Sequence, residues 1–263
     1  MVLQSKTKYH FVISITIPYR YPIDDTVNLC FTLYMSHRKT LLVTNEIYHV
    51  YNRGVEKRQI FLNKRNYLRF IDLINYYRFI NCPLKFSYFK LLPYEQREKI
   101  FIELESKSKL LVDVLAFCLM PNHIHLLLKQ LTDKGISKFM AKITNGFSHY
   151  FNVRYKRVGH LFQGNFSAVR IENDEQLIHV SRYIHLNPVS SYLIEFENLE
   201  EYEYSSYPEY MGKKSGFCNK DIILSYFRND RKVYKKFLED QKDYARQLEN
   251  IKHLTLEKNE RKF

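Results

Sequence analysis

The clearest hydrophobic signal lies in residues 112–130. Val112–Met120 is a nearly continuous apolar run, the pattern of a strand covered on both faces. Pro121-Asn122 interrupts it as a tight turn, and His123–Gln130 follows as the second arm of a hairpin. Upstream, residues 46–54 (EIYHVYNRG) read as a strand with a glycine exit. Residues 63–67 open a helix whose Leu68, Ile71, Leu73 and Ile74 recur at helical spacing, and Pro83 follows its end. Residues 84–92 are apolar and aromatic and read as a short strand or a loop, whereas 94–110 read as a charged surface helix inserted in the chain. Downstream, Gly135–Tyr155 is a long amphipathic helix with Ile136, Phe139, Met140, Ile143, Phe147 and Phe151 inward. Residues 159–165 (GHLFQGN) form a loop and 166–172 a strand. Asn173 or Asp174 caps the next helix, with Gln176 placed for a capping box, and Pro188 is expected to stop that helix after Asn187. Two further helices are expected at 220–227 and 231–251, with a frayed tail after Leu256.

The core order is strand, helix, strand, strand, helix, strand, helix. A βαββαβ order is the split βαβ, ferredoxin-like arrangement, an α+β fold with one antiparallel sheet and two helices on one face. The first strand and the histidine-bearing strand should be central, and the last core helix should cover the other face. The expected organisation is an N-terminal extension over 1–45, a core domain over 46–210 and a helical C-terminal extension over 211–263. Residues 10–18 alternate like a strand, but Met35-Ser36-His37-Arg38-Lys39-Thr40 resembles an ordinary bacterial start, so translation is expected to begin at Met35 with 1–34 poorly ordered.

Composition narrows the partners. Apolar residues make up 45% of the 263, enough to build a core. Lys and Arg number 41 against 28 Asp and Glu, a formal charge of +13, which favours nucleic acid first and an anionic membrane second. The 22 Tyr and 19 Phe interleave with basic residues, as suits unstacked bases, although most belong to a core. Cys30, Cys82, Cys118 and Cys218 are scattered without zinc or redox spacing, so a reducing cytoplasm is expected, and Cys118 should pack as a small hydrophobe. No apolar run reaches the ~18 residues of a membrane span, and the N-terminus has no signal-peptide pattern.

Candidate chemistry begins in the hairpin. Side chains alternate along a strand, so His123 and His125 share a face, with imidazoles about 7 Å apart along it. Such a pair can share a divalent metal when a third ligand arrives from elsewhere. The last core helix offers one. Tyr183 and Asn187 lie one turn apart on one face, beside an apolar stripe of Leu177, Val180 and Ile184 that would dock the helix. If it packs across the open face of the sheet, the Asn187 amide oxygen completes a His-His-Asn site with Tyr183 beside it. Imidazole and amide-oxygen ligands with open positions suit Mg2+ or Mn2+, substrate phosphate completing the shell. The pieces fit attack by the Tyr183 phenolate on a DNA phosphate, leaving a 5′-phosphotyrosine that conserves the energy of the cut bond.

The motifs YHVYNRG (48–54), RNYLRFIDLI (65–74), LMPNHIHLLL (119–128), GHLFQGNF (159–166), RYIHLNPV (182–189) and YSSY (204–207) resemble, in order, those of the single-tyrosine HUH transposases, above all the REP-associated tyrosine transposases. The pairing of PNHIHLLL with RYIHLNPV is the specific part. The resemblance implies His123 and His125 as the HUH metal ligands, Asn187 as the third and Tyr183 as nucleophile. It implies an enzyme of DNA transposition and recombination, a strand transferase that cuts and rejoins single-stranded DNA at a hairpin such as a REP sequence, and it favours a monomer, with a dimer as the alternative that other family members adopt. Residues 1–45, 84–110 and those beyond 215 lie outside it.

Two rival readings stand beside this one. A catalytically inactive member of the same fold would bind structured DNA or RNA without cutting, and a metal-dependent hydrolase would use water with Tyr183 merely structural. A His-x-His pair alone is more often structural, and it is the addition of Tyr183 and Asn187 that favours the metal. His185 faces away from Tyr183 and should pack or touch DNA. His49 should line the sheet or meet phosphate, and Tyr150 and Tyr155 should pack or stack on bases. Arg53, Lys57, Arg58, Arg154, Lys156, Arg157, Arg170 and Arg182 are the candidate DNA-contacting cations, a plain solvated charge being about as good a reading for any one of them.

Overall fold

The computed structural model describes residues 41–241. The expectations for 1–34, the start at Met35 and the end of the last helix fall outside those residues.

The core is a four-stranded antiparallel sheet. Its strands are β1 (Ile47–Arg53), β2 (Val112–Met120), β3 (His123–Gln130) and β4 (Ser167–Arg170), arranged in the order β2-β3-β1-β4. The expected βαββαβ fold and its two central strands are therefore present. Alternation sends Tyr48, Val50, Ile124, Leu126 and Leu128 to one face, where they are fully buried. Against that face pack α1 (Lys64–Tyr77) and α4 (Gly135–Tyr155).

The insertion between α1 and β2 holds α2 (Phe86–Phe89) and α3 (Tyr94–Lys107). Residues 84–92 thus centre on a short helix, not a strand or loop. A short apolar run has no decisive period. Here Phe86 and Phe89, three apart, both meet the Tyr76 ring at a tilt, and the Tyr77 hydroxyl accepts the Phe86 N–H at 3.0 Å. The inward stripe of α1 also differs from expectation. Leu68 is exposed and Ile71 half-buried, while Tyr67, Phe70, Leu73 and Ile74 are buried, because the Phe61 and Phe147 rings meet Phe70 and turn that edge inward.

The second face carries Leu127, Ala116, Cys118 and Met120. Across it lies α5 (Asp174–Ser190), docked by Leu177, Val180, Ile184, Leu186 and Val189. Asn173 caps it by accepting the Gln176 N–H at 2.8 Å, while the Gln176 side chain reaches back to the Glu172 N–H at 2.7 Å. The helix does not stop at Asn187 as expected but runs through Pro188 to Ser190. A proline inside a helix costs about 3 kcal/mol. Each buried aliphatic side chain returns roughly 1.5–3 kcal/mol, so the buried last turn outweighs the loss.

Behind α5 sit α6 (Tyr207–Tyr210), α7 (Asp221–Leu224) with a 3-10 turn Ser225–Phe227, and α8 (Arg231–Glu239). The helix expected over 220–227 is therefore split, with Arg228 in the left-handed region closing it. Residues 204–206 line the free edge of β2: the Tyr204 carbonyl accepts the Leu119 N–H at 2.9 Å, and Ser206 N–H donates to the Phe117 carbonyl at 3.0 Å. That pairing protects an edge strand from other chains. His185, on the side of α5 away from Tyr183, is fully buried, with Nδ1 2.7 Å from the Tyr234 hydroxyl and Nε2 2.8 Å from Ser206 Oγ. Burial pushes its pKa down to about 3. It packs, the first of its two expected roles.

Tyr234→Phe should lower stability by about 1–3 kcal/mol, since it leaves a buried ring nitrogen of His185 without its hydroxyl partner. Denaturant midpoints compared with wild type at neutral pH measure it.

Candidate functional site

The site lies on the α5 face of the sheet. Antiparallel register sets Tyr51 opposite His125 and Arg53 opposite His123, with His49 opposite Leu127. On β3 the rings of His123 and His125 are 4.9 Å apart and perpendicular. α5 brings Tyr183 over them: its ring lies 5.4 Å from His125 and 5.8 Å from His49, edge-on to both. Asn187, buried, is hydrogen-bonded to His123, and its amide Nδ2 donates to the Tyr183 carbonyl at 3.2 Å. The four residues singled out in the sequence therefore meet.

The hydrogen bonds around the two imidazoles are matched. Asn122 Nδ2 donates to the Lys57 carbonyl at 3.1 Å, which turns Asn122 Oδ1 towards His123 Nδ1 at 2.5 Å. An amide oxygen only accepts, so His123 carries its proton on Nδ1 and keeps the Nε2 lone pair. His125 Nδ1 likewise lies 2.9 Å from His49 Nε2. Both Nδ1 atoms are thus engaged by protein side chains. Burial and the Arg53 guanidinium hold the pKa of His123 down to about 4, and burial alone holds His49 at about 4. Neutral imidazole is the form that ligates metal. With the Asn187 Nδ2 committed to Tyr183, its Oδ1 is the atom that can serve as a third ligand. This donor set fits a hard divalent ion. Among the described residues, no three His, Cys, Asp or Glu side chains form a metal-holding group, so a metal here would need the amide oxygen.

The candidate cations divide by position. Arg53 is half-buried beside His123. Lys57 and Arg58 sit in the turn after β1, which is tied to the hairpin: Gly54 N–H donates to the Asn122 carbonyl at 2.8 Å, and Ile60 and Phe61 N–H donate to Pro121 at 2.8 and 3.0 Å. The loop after α4 joins them, Val55 N–H donating to Leu161 at 2.9 Å and Gln163 N–H to Arg53 at 2.8 Å. Arg154, Lys156 and Arg157 precede that loop at the end of α4; Arg157 donates to Asn152 at 3.2 Å. Two cations are placed elsewhere. Arg170 shares the face of Tyr48 and pairs with Glu46 at 2.9 Å. Arg182 covers the Phe237 ring at 4.1 Å and lies 2.6 Å from His179 Nδ1, so it helps to hold α8. Tyr150 and Tyr155 pack, their hydroxyls bonded to Asn66 at 3.4 and 3.0 Å.

Sequence reading missed Asn122, taken only as a turn residue, and the pairing of His49 with His125. The alternation His49-Val50-Tyr51-Asn52-Arg53 carried the second signal, because it places three polar side chains on the histidine face.

Fold and site together define a class: a ferredoxin-like antiparallel sheet with a His-x-His strand at its centre and a tyrosine- and asparagine-bearing helix across it. Residues 75–187 match the family model described as "Transposase IS200 like", a stretch that holds both histidines, Tyr183 and Asn187. No curated protein matches the chain. Among solved structures it is similar to that of a REP-associated tyrosine transposase bound to a REP hairpin, at 15% identity and a TM-score of 0.47, over 68% of this chain and 87% of that one.

Gly54 fixes the turn that positions Asn122. A Cβ there would collide with the Arg58 carbonyl oxygen and reach Ile60 Cγ2 at 2.8 Å. Gly54→Ala should therefore destabilise the protein by about 1–3 kcal/mol, measurable by thermal or denaturant unfolding.

Proposed function

We propose that the protein is a DNA nickase and strand transferase acting on single-stranded or hairpin DNA through a 5′-phosphotyrosine at Tyr183. The observation that carries this reading is the meeting of Tyr183 with His123 and His125, each engaged by protein at Nδ1, and with Asn187 on one face of the sheet. His123, His125 and Asn187 would hold one Mg2+ or Mn2+. Such an ion, when bound, withdraws charge from a non-bridging phosphate oxygen and makes phosphorus a better electrophile. Tyr183 supplies the nucleophile: its Oη forms the bond to phosphorus as the bond to the 3′ oxygen breaks, and the phenolic proton is lost while the leaving oxygen is protonated. The reverse reaction needs only a 3′-hydroxyl in place, so rejoining requires no nucleotide cofactor. Arg53, Lys57 and Arg58, gathered at the His123 end, are placed to hold the phosphate backbone. Arg154, Lys156 and Arg157 extend that surface along the loop after α4. Affinity would come from many such contacts and fall with salt.

The nuclease domain is proposed to span 46–210, with 211–263 as its helical extension, in a monomeric protein of the cytoplasm. Among the described residues no helix is long and apolar enough to cross a membrane.

Incubation with labelled hairpin DNA and Mn2+ tests the reading. A denaturation-resistant protein–DNA adduct is expected, and Tyr183→Phe should abolish it. Cutting without an adduct would instead indicate a hydrolase using water, and binding without cutting under every divalent metal would indicate an inactive DNA- or RNA-binding protein. His123→Ala should retain most DNA affinity while cleavage falls by roughly 10²–10³-fold or more, the equivalent of losing several kcal/mol of charge stabilisation. Filter binding and gel assays on the same preparation separate the two effects.

A further inference from the structure

We infer that His49 is a positioning residue for the proposed metal site, fixing both the tautomer and the tilt of His125. The inference rests on the reading of His125 as a ligand. His49 Nε2 and His125 Nδ1 are 2.9 Å apart, and each residue is 7% exposed, so water does not satisfy this pair. Their rings lie nearly parallel, at 24° and 5.1 Å. A hydrogen bond between two neutral imidazoles needs one N–H and one lone pair. If His125 donates from Nδ1, its Nε2 keeps the lone pair that a ligand requires. If His49 donates instead, the His125 proton sits on Nε2 and the ligand is lost. A cation at the site selects the first arrangement, with His49 accepting. Partners of this kind orient ligating histidines and raise their basicity.

The placement of His49 makes it a specific support. It comes from β1, a different strand from the two ligands, and sits diagonally across the ladder from His125. Its ring also meets Tyr51 at 5.3 Å and the edge of Tyr183 at 5.8 Å. One side chain thus touches both the ligand strand and the helix that carries the nucleophile. Asn122 performs the matching task for His123, but as a sequence neighbour of its ligand.

Mn2+ titration of the full-length protein by calorimetry tests this, with wild type, His49→Ala, His49→Gln and His125→Ala compared and thermal melting as a check on folding. His49→Ala is expected to bind Mn2+ about 10–100-fold more weakly. His49→Gln, whose amide oxygen can accept the same hydrogen bond, should recover most of that loss, and His125→Ala should lose binding. If His49→Ala keeps wild-type affinity while His125→Ala loses it, the role of His49 is overturned and the metal site stands. If wild type does not bind Mn2+, or His125→Ala binds as well as wild type, the metal site falls and this inference with it. If His49→Ala fails to fold, the glutamine variant decides: affinity near wild type supports the role, and loss equal to that of His125→Ala overturns it.

Discussion

The site depends on how α5 is seated. Tyr183 and Asn187 share one helical face, so a rotation of the helix about its axis would move both away from the histidines together. An apolar stripe alone permits some sliding, because aliphatic contacts have no direction. The directional element is His185, on the opposite side of the same helix. Its two ring nitrogens are both taken, one by Tyr234 of α8 and one by Ser206. Ser206 in turn accepts the Phe117 N–H at the edge of β2, at 2.9 Å. A chain of hydrogen bonds therefore runs from the sheet edge through the helix to the C-terminal elements, and it sets the rotation that aims Tyr183 at β3.

This gives the segment after residue 200 a physical task. Without it, His185 on the outer side of α5 would lose both its partners, and the edge of β2 would be bare. The residues 204–206 pair with that edge, and the Tyr202 and Tyr210 hydroxyls donate to the Leu119 and Leu115 carbonyls of the same strand, each at 2.8 Å. Leu115 lies at the irregularity in the β2–β3 pairing, where a carbonyl needs a partner from outside the ladder. Tyr202, Tyr210 and Tyr234 thus help to fasten the sheet edge and α5 to the C-terminal elements, while most of the other buried aromatics pack on the opposite face of the sheet.

The fold was legible because its signals were periodic. The apolar run of β2, the hairpin turn and the inward stripe of α4 stand in the structure where their spacing put them. The four proposed site residues were legible too, since alternation in a strand and one-turn spacing in a helix are local rules. What the sequence concealed was contact between elements. Phe86 and Phe89 form a helix because Tyr76 and Tyr77 receive them, and α5 continues past Pro188 because its last turn is buried. Neither neighbour is close enough in sequence to be read from a window. His49 was equally hidden: its alternation with Tyr51 was visible, but only the strand register puts it beside His125.

The electrostatics of the site bear on what it can bind. His49, His123, His125, Asn122 and Asn187 contribute no carboxylate, and the nearest fixed charge on the ladder is the cation Arg53. A divalent ion held by two neutral imidazoles and an amide would keep its full charge, unlike one held by Asp or Glu. Such a site binds the bare ion weakly and gains most when an anion arrives to share the ion's open positions. A phosphodiester brings that anion, and Arg53 adds a second positive group beside it. Under the proposed reading, the cation Arg53 beside His123 and the 13 excess positive charges of the chain suit a polyanionic substrate.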